Sequence, residues 1–186
     1  MRYLCQTTDW GGRSLGLLKL EIPQLELVVD NGYRSAFKTF CRSLALTDEP
    51  CVRLEDDAIL CENFTETIEQ IIAQQPDALI NFFSMYPKFR FGGRTGLFPR
   101  NGKTFLYNVC TYYPEGYASR LLSFLENEAE SEEYDVELGR WLQKNNLQYY
   151  QYSPNIVNHS QSVSLINASR PQTRTDKSFN PNFKKK

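Results

Sequence analysis

The sequence predicts an α/β protein with a mostly parallel central sheet flanked by helices, and three observations support this class. Strand-like and helix-like segments alternate over residues 2–83. The helix candidates bury one stripe of apolar residues spaced three and four apart. The apolar run at residues 51–61 is interrupted by three consecutive carboxylates, where a buried strand is expected to end. Alternating strands and helices favour a parallel sheet because parallel strands need crossover connections.

The first half of the chain contains the predicted strands and helices of this unit. Strands are predicted at residues 2–7, 25–29, 52–54 and 78–83. A short helix at 15–20 is stopped by Pro23. Ser35 is the predicted N-cap of a second helix, with a buried stripe formed by Phe37, Phe40, Cys41 and Leu44. The run Asn63-Phe64-Thr65-Glu66 has the form of a capping box that opens a third helix.

The second half of the chain is less regular. Residues 86–103 contain four glycines, two prolines and five basic residues, which predicts a long loop. Two interpretations of this loop stay open, a lid with Arg94 or Arg100 on a phosphate and a flexible surface loop. Further on, the pattern predicts a strand at 104–111, helices at 117–126 and 134–145, and a strand at 148–152.

Charge is distributed unevenly along the chain. The formal net charge is -1, but residues 170–186 hold six Lys or Arg against Asp176 alone, so the rest carries about -6. A body this acidic does not indicate a nucleic-acid binder. Residues 169–186 are polar and lack an apolar period. We therefore predict one domain of ordinary size over 1–168, followed by a disordered basic tail with weak anionic contacts at most.

The cysteines and the absence of targeting signals indicate the compartment. Five cysteines lie in apolar segments without Cys-X-X-Cys spacing, which predicts buried free thiols rather than disulfides or a zinc site. Met1 leads directly into a strand-like run rather than a secretory signal, and no apolar stretch approaches the length of a membrane span. We expect a soluble, cytoplasmic protein.

The acidic triplet Glu55-Asp56-Asp57 is the main functional signal in the sequence. Buried charges are costly unless they are paired or bound to a metal, so carboxylates that follow the buried strand 52–54 are hard to explain by folding alone. Ligands of α/β proteins bind at the carboxyl ends of parallel strands. Clustered oxygen ligands suit Mg²⁺ or Mn²⁺, and these ions suit a phosphate-bearing substrate. The alternative interpretation is a solvated acidic turn.

The chain has a single histidine, His159, which follows the apolar pair Ile156-Val157. This position predicts that His159, like Asp57, lies at a strand end. A lone histidine is usually a satisfied structural residue, so both interpretations stay open from the residues alone. As a metal ligand, an imidazole would favour Mn²⁺ over Mg²⁺.

Three motifs carry a family resemblance. The segment Leu-Glu-Asp-Asp-Ala-Ile-Leu at 54–60, followed by Asn63-Phe64, resembles the metal-site segment of the glycosyltransferases of the lipooligosaccharide-biosynthesis type. This group is glycosyltransferase family 25-like and has the GT-A fold. Pro-X-Ile-Val-X-His at 154–159 resembles the C-terminal motif of the family, and residues 134–142 resemble its second acidic motif. The resemblance covers about residues 25–166.

The resemblance implies a GT-A-like nucleotide-diphospho-sugar transferase that uses a metal ion. Such an enzyme moves a sugar from a nucleoside-diphosphate donor, typically a UDP-sugar, to a hydroxyl acceptor. The acceptor is a cell-surface glycan by default, with a modified nucleobase or a protein as open alternatives. Asp57, His159 and Glu55 are the implied ligands of Mn²⁺ or Mg²⁺, with Glu55 or Asp56 acting directly or through water.

The remaining site residues are predicted from strand ends and from the second acidic motif. The nucleotide is expected to contact Thr7, Thr8, Arg13, Asp30, Glu55 and Asp56. Asp135 is the predicted catalytic residue, acting as a base on the acceptor hydroxyl if the enzyme inverts configuration and positioning the acceptor if it retains configuration. The family commonly has an acid where this chain has Tyr134. The choice among Asp135, Glu133 and Glu137 is therefore open, as is a role of Asp135 in helix capping alone.

Two other classes of function compete with this interpretation. A metal-dependent phosphohydrolase or nuclease also needs clustered carboxylates, but usually more of them from other strand ends. A non-catalytic sugar-nucleotide-binding module would keep the fold and lose the chemistry. Release of nucleoside diphosphate from a nucleotide sugar would indicate the glycosyltransferase, and release of phosphate from generic esters would indicate the phosphohydrolase. Ligand binding without turnover would indicate the binding module.

Overall fold

A computed structural model describes residues 1–8, 15–32, 34–160 and 175–182. The strands are β1 (Arg2–Thr8), β2 (Glu26–Asp30), β3 (Cys51–Glu55), β4 (Ala58–Leu60), β5 (Ile80–Asn81), β6 (Gly96–Asn101), β7 (Cys110–Tyr113), β8 (Gln148–Ser153) and β9 (Val157–His159). The helices are α1 (Leu15–Glu21), α2 (Ala36–Ala45), α3 (Phe64–Ile72), α4 (Pro87–Phe91), α5 (Tyr117–Glu128) and α6 (Tyr134–Lys144), with a 3₁₀ turn at Gly102–Thr104.

Within the described residues, the central sheet has seven strands in the order β2-β1-β3-β7-β5-β8-β6. β1 pairs in parallel with β2 and β3, and β5 pairs in parallel with β8. Only β7 and β6 run against their neighbours, so five of the seven strands point the same way. The predicted class, α/β with a mostly parallel central sheet flanked by helices, is confirmed.

Helices cover both faces of this sheet because successive residues of its strands point to opposite sides. Tyr3 and Cys5 of β1 belong to a buried apolar cluster that includes residues of α1 and α3. Leu4 belongs to a second cluster, which includes residues of α2, α5 and α6. All five cysteines are free thiols and four of them are buried, as predicted. Among the described residues, no helix combines the length and apolar character that crossing a bilayer requires.

A second, two-stranded sheet joins β4 to β9 in antiparallel register. Its three residue pairs match Ala58 with His159, Ile59 with Asn158 and Leu60 with Val157. β4 follows directly on the acidic turn after β3, so this small sheet links that turn to the C-terminal part of the domain.

Residues 86–103 contain a helix and a strand instead of forming the predicted long loop. They include α4 and β6, and β6 pairs with β8 at the edge of the sheet. The rings of Phe91 and Phe98 stack 4.7 Å apart. The guanidinium carbons of Arg94 and Arg100 lie 5.0 and 5.6 Å from the Phe98 and Phe91 ring centroids. Strand pairing and ring stacking therefore order a segment whose glycine and proline content predicts irregularity.

Other local predictions have mixed outcomes. Ser35 caps α2 by accepting a hydrogen bond from the Lys38 amide, as predicted. The predicted capping box is wrong, because Asn63 has a left-handed backbone (φ 55°) and its side chain makes no capping hydrogen bond. The strand predicted at 104–111 begins only at Cys110, after a left-handed residue at Tyr107 (φ 64°).

The described part of the predicted tail, residues 175–182, lies against the domain. The Asp176 side chain is 5% exposed, and Phe179 packs against the first apolar cluster. The Glu62 amide donates to the Pro181 carbonyl over 2.6 Å. Composition predicted disorder here because a single buried carboxylate and a single half-buried ring have little effect on the average of a polar segment.

The contact between the 3₁₀ turn and α6 depends on two facing glycines. A Cβ built on Gly139 would lie 2.8 Å from the Gly102 carbonyl oxygen, which is backbone and cannot rotate away. We expect Gly139→Ala to lower the free energy of unfolding by about 1–3 kcal/mol through overpacking, measured by urea denaturation. Gly16→Ala in α1 is the matched control, because its Cβ would meet nothing within 4 Å. That variant should be neutral or slightly more stable, and equal loss in both would contradict this account.

Candidate metal centre

The ends of three parallel strands form the base of the site. In the register of the sheet, Thr8 of β1 lies beside Asp30 of β2, and Gln6 of β1 lies beside Glu55 of β3. Parallel strands end at the same edge of a sheet, so the predicted residues on β1, β2 and β3 share one edge. This is the carboxyl edge, at which α/β proteins bind ligands.

The turn after β3 brings together two acids and the histidine. β4 starts at Ala58, and its pairing with β9 sets Ala58 opposite His159. The Ser160 amide donates to the Asp57 carbonyl over 2.9 Å and extends this pairing by one step. As a result, His159 Nε2 lies 3.1 Å from Asp57 Oδ2.

Glu55, Asp57 and His159 form a compact group of possible metal ligands. One ligand atom from each residue lies within 4.8 Å of the other two, and all three residues are half-buried. Among the described residues, no other group of three or more His, Cys, Asp and Glu side chains has the spacing of a metal site. Two carboxylates and one imidazole suit Mn²⁺, so the residues present fit the implied ion.

The hydrogen bonding of His159 leaves one ring nitrogen directed at this group. His159 Nδ1 lies 2.7 Å from the Ser160 carbonyl oxygen. A carbonyl oxygen can only accept, so Nδ1 is assigned the proton of this bond. Nε2, which faces Asp57, is then the nitrogen available to a cation. A histidine oriented through its second nitrogen is the usual arrangement of a metal ligand.

Glu55 is held in an environment that disfavours its charged form. Burial and the charge of Asp57 raise the pKa of the Glu55 carboxyl to about 8, and Asp135 and Asp56 contribute further repulsion. The Tyr134 hydroxyl donates a hydrogen bond to Glu55 Oε1 and acts in the opposite sense, since it stabilises the carboxylate. A bound cation would offset the same repulsion, which is a physical reason for a metal at this place.

Asp56 and Asp30 make internal hydrogen bonds near the group of three. Asp56 Oδ2 accepts a hydrogen bond from the Thr7 hydroxyl over 2.8 Å. Asp30 is buried, and its Oδ2 accepts from the Ser35 amide at the start of α2 over 3.0 Å. Contact of Thr7, Asp30 and Asp56 with a nucleotide stays a prediction. Arg13 and the side chain of Thr8 lie outside the described part of the chain.

The second acidic motif also reaches this site, from the first turn of α6. The ring of Tyr134 stacks on Phe40 of α2 with centroids 4.7 Å apart, and its hydroxyl is the donor to Glu55. Asp135 Oδ2 accepts from the Tyr107 amide over 3.4 Å. Asp135 directly follows Tyr134 in the first turn of α6, and its charge contributes to the raised pKa of Glu55.

The other two candidate acids of this motif are engaged elsewhere or exposed. Glu137 is 1% exposed, bonds to Arg140 over 2.5 Å and accepts from the Ser131 hydroxyl over 3.0 Å. Glu133 is exposed. Of the open choices, Asp135 is therefore the acid that borders the candidate centre, while its catalytic role stays a prediction.

Two aromatic residues of the site were not among the sequence predictions. Tyr134 stands where the resembling family commonly has an acid, and that departure was the available signal for its contact with Glu55. The ring of Phe83, just after β5, lies 6.5 Å from the His159 ring and 6.1 Å from the Tyr107 ring. No spacing rule in the sequence indicates this second contact, because it joins three distant segments.

Comparison with known proteins shows a distant structural likeness. No protein-family model matches the chain, and no curated protein matches it significantly. Among solved structures, the chain is similar to a protein described as a glucose-1-phosphate thymidylyltransferase from Bacillus anthracis, solved in complex with sucrose. The TM-score is 0.47 and the sequence identity 10%, over 84% of this chain and 70% of that chain. A likeness this distant assigns no function, so the function proposed below rests on the geometry of the candidate metal centre.

Proposed function

We propose that this protein is a metal-dependent glycosyltransferase that moves a sugar from a nucleoside-diphosphate sugar to a hydroxyl acceptor. The observation that carries the proposal is the convergence of Glu55, Asp57 and His159 at the carboxyl edge of the sheet. The segment that supplies two of these residues, 54–60, is also the one that resembles the lipooligosaccharide-type glycosyltransferases. A GT-A-like fold accompanies this proposal.

Mn²⁺ is the proposed ion, with Mg²⁺ as the alternative. Glu55, Asp57 and His159 would hold it, and when bound it would neutralise charge on the diphosphate leaving group. Two hydrogen bonds hold the proposed ligands in place: His159 donates to the Ser160 carbonyl, and Glu55 accepts from the Tyr134 hydroxyl. Asp56, held by Thr7, is in the same turn and is proposed to act directly or through a water molecule.

The donor and the acceptor are both proposed to bind beside this centre. The strand ends of β1 and β2 border it on one side, so the proposed contacts of base and ribose are Thr7, Thr8, Arg13 and Asp30. The first turn of α6 reaches the centre through Tyr134, and Asp135 beside it is proposed to accept the proton of the acceptor hydroxyl or to position that hydroxyl. A UDP-sugar donor and a glycan acceptor follow from the family resemblance alone.

Ligand-dependent stabilisation tests the proposed donor site. A ligand that binds only the folded state stabilises it by about 2.7 kcal/mol at a hundredfold excess over its Kd. We expect a nucleoside-diphosphate sugar to raise the melting temperature of the wild type only when Mn²⁺ is present. Asp57→Asn should abolish this shift because it removes one negative charge while keeping the shape of the side chain.

Asp77→Asn is the matched control, since Asp77 is exposed and lies before β5, away from the carboxyl edge. It should keep the full shift. A folded wild type that responds to no donor would contradict the proposal, and release of phosphate from generic esters would favour a phosphohydrolase instead.

The raised pKa of Glu55 predicts pH-dependent metal binding. A metal ligand must be deprotonated, so Mn²⁺ affinity should rise by up to about tenfold per pH unit below pH 8 and level off above it. The free energy of unfolding without metal should depend on pH in the opposite direction. The stability that protonated Glu55 contributes is fully present below about pH 4.5 and is lost as the pH rises through about 8. Calorimetric titration with Mn²⁺ at several pH values measures the first effect.

Removing the Tyr134 hydroxyl should move this pH profile in a known direction. That hydroxyl favours the Glu55 carboxylate, so Tyr134→Phe should raise the pKa of Glu55 further and weaken Mn²⁺ binding at neutral pH. Tyr3→Phe is the matched control, because the Tyr3 hydroxyl donates to a different glutamate, Glu69, over 3.0 Å. A profile that is flat between pH 6 and 8, or that moves equally in both variants, would show that Glu55 is not a ligand.

A further inference from the structure

The described end of the chain contains one buried carboxylate in an otherwise basic segment. Asp176 is the only acid among residues 170–186, and it is 5% exposed. We call residues 175–182 the C-terminal clasp. Burying a carboxylate costs free energy unless donors surround it, so its hydrogen bonds indicate what it holds in place.

Both oxygens of Asp176 are used. Oδ1 accepts from the Ser178 amide and hydroxyl over 2.8 and 2.6 Å. Oδ2 accepts from Asn155 Nδ2 over 3.1 Å. Asn155 in turn exchanges two hydrogen bonds with the backbone of Ser84, just beyond β5. The carboxylate therefore ties the clasp to the segment that leads into β9.

The backbone of Asp176 makes a second connection, directly to β9. Asn158 Oδ1 accepts from the Asp176 amide over 2.9 Å, and Asn158 Nδ2 donates to the Asp176 carbonyl over 3.2 Å. The same Asn158 Oδ1 accepts from the His159 amide over 3.0 Å. One amide side chain thus links Asp176 to the backbone of the candidate metal ligand.

The small sheet that carries His159 needs such support. β4 and β9 share only three residue pairs, and a two-stranded sheet of this size is marginal by itself. The clasp contacts β9 through Asn158, and it contacts the segment just after β4 through the hydrogen bond from the Glu62 amide to the Pro181 carbonyl. Phe179 adds apolar contact with the cluster beneath the sheet.

We propose that Asp176 is a positioning residue for His159: its carboxylate, bound to Asn155 and Ser178, fixes the clasp so that its backbone can hold Asn158, and with it β9 and its imidazole, at the candidate metal centre. The inference rests on the proposed metal-dependent function, because it assigns His159 the role of a ligand. It gives the clasp a place in the site although the clasp contributes no ligand itself.

The test compares Mn²⁺ affinity and the histidine signal in matched variants. Residues that orient a ligand typically cost 10–100-fold in metal affinity when they are lost. Asp176→Ala should therefore weaken Mn²⁺ binding about tenfold or more by calorimetry. His159 is the only histidine, so its imidazole signals in a ¹H–¹⁵N spectrum need no assignment. They should change in metal-free Asp176→Ala.

Asp48→Ala is the control for a merely structural effect. The Asp48 carboxylate accepts from the Ser119 amide and hydroxyl over 3.0 and 2.9 Å, which is the same kind of contact at the start of α5. This variant should lose stability but keep both the Mn²⁺ affinity and the imidazole signals. Equal changes in both variants, or none in Asp176→Ala, would overturn the proposal.

Two further outcomes separate this inference from the proposed function. If Asp176→Ala does not fold, Ser178→Ala replaces it in the test, because this variant removes one donor to Asp176 Oδ1. Unchanged Mn²⁺ affinity and unchanged imidazole signals in Ser178→Ala would then contradict the proposal. If the wild type binds no Mn²⁺, the proposed function fails. The imidazole signals of the metal-free variants still establish or overturn the positioning of His159.

Discussion

The site depends on the crowding of negative charge at the end of β3. Glu55 and Asp57 approach one another beside His159, partly removed from water, and this raises the pKa of Glu55. The Tyr134 hydroxyl reduces the repulsion by donating to Glu55, and the Nε2 lone pair of His159 faces Asp57. Like charges held together at a cost to stability are typical of functional sites, and a divalent cation is the simplest group that would turn this cost into binding.

The architecture around this crowding comes from distant parts of the chain. A parallel β1–β3 unit sets the edge, α6 delivers Tyr134 and Asp135 from one side, and the β4–β9 sheet delivers His159 from the other. The C-terminal clasp then holds β9. Each of these contacts is weak alone, because a single hydrogen bond contributes only about 1 kcal/mol of net stability. Their combination fixes three side chains within 4.8 Å.

Much of the fold could be predicted from local sequence patterns, whereas the core of the site was an expectation from the family resemblance. Apolar periodicity predicts the α/β order and the strand-end positions of Asp57 and His159, but only the resemblance grouped these two residues with Glu55 as metal ligands. Residues 86–103 were mispredicted because the stack of Phe91 and Phe98 and the pairing of β6 are tertiary contacts. The bond from Tyr134 to Glu55 and the burial of Asp176 likewise depend on which segments meet. Secondary-structure propensity carries no information about which distant segments come into contact.

The central claim is that Glu55, Asp57 and His159 bind one divalent ion together. Anomalous diffraction at the manganese edge, from crystals grown with Mn²⁺ and a nucleoside diphosphate, tests it most directly. The account predicts one strong peak within bonding distance of oxygens of Glu55 and Asp57 and of His159 Nε2, with a diphosphate oxygen beside it. A fully occupied ion elsewhere, or a bound nucleotide with no peak between these three side chains, would contradict it.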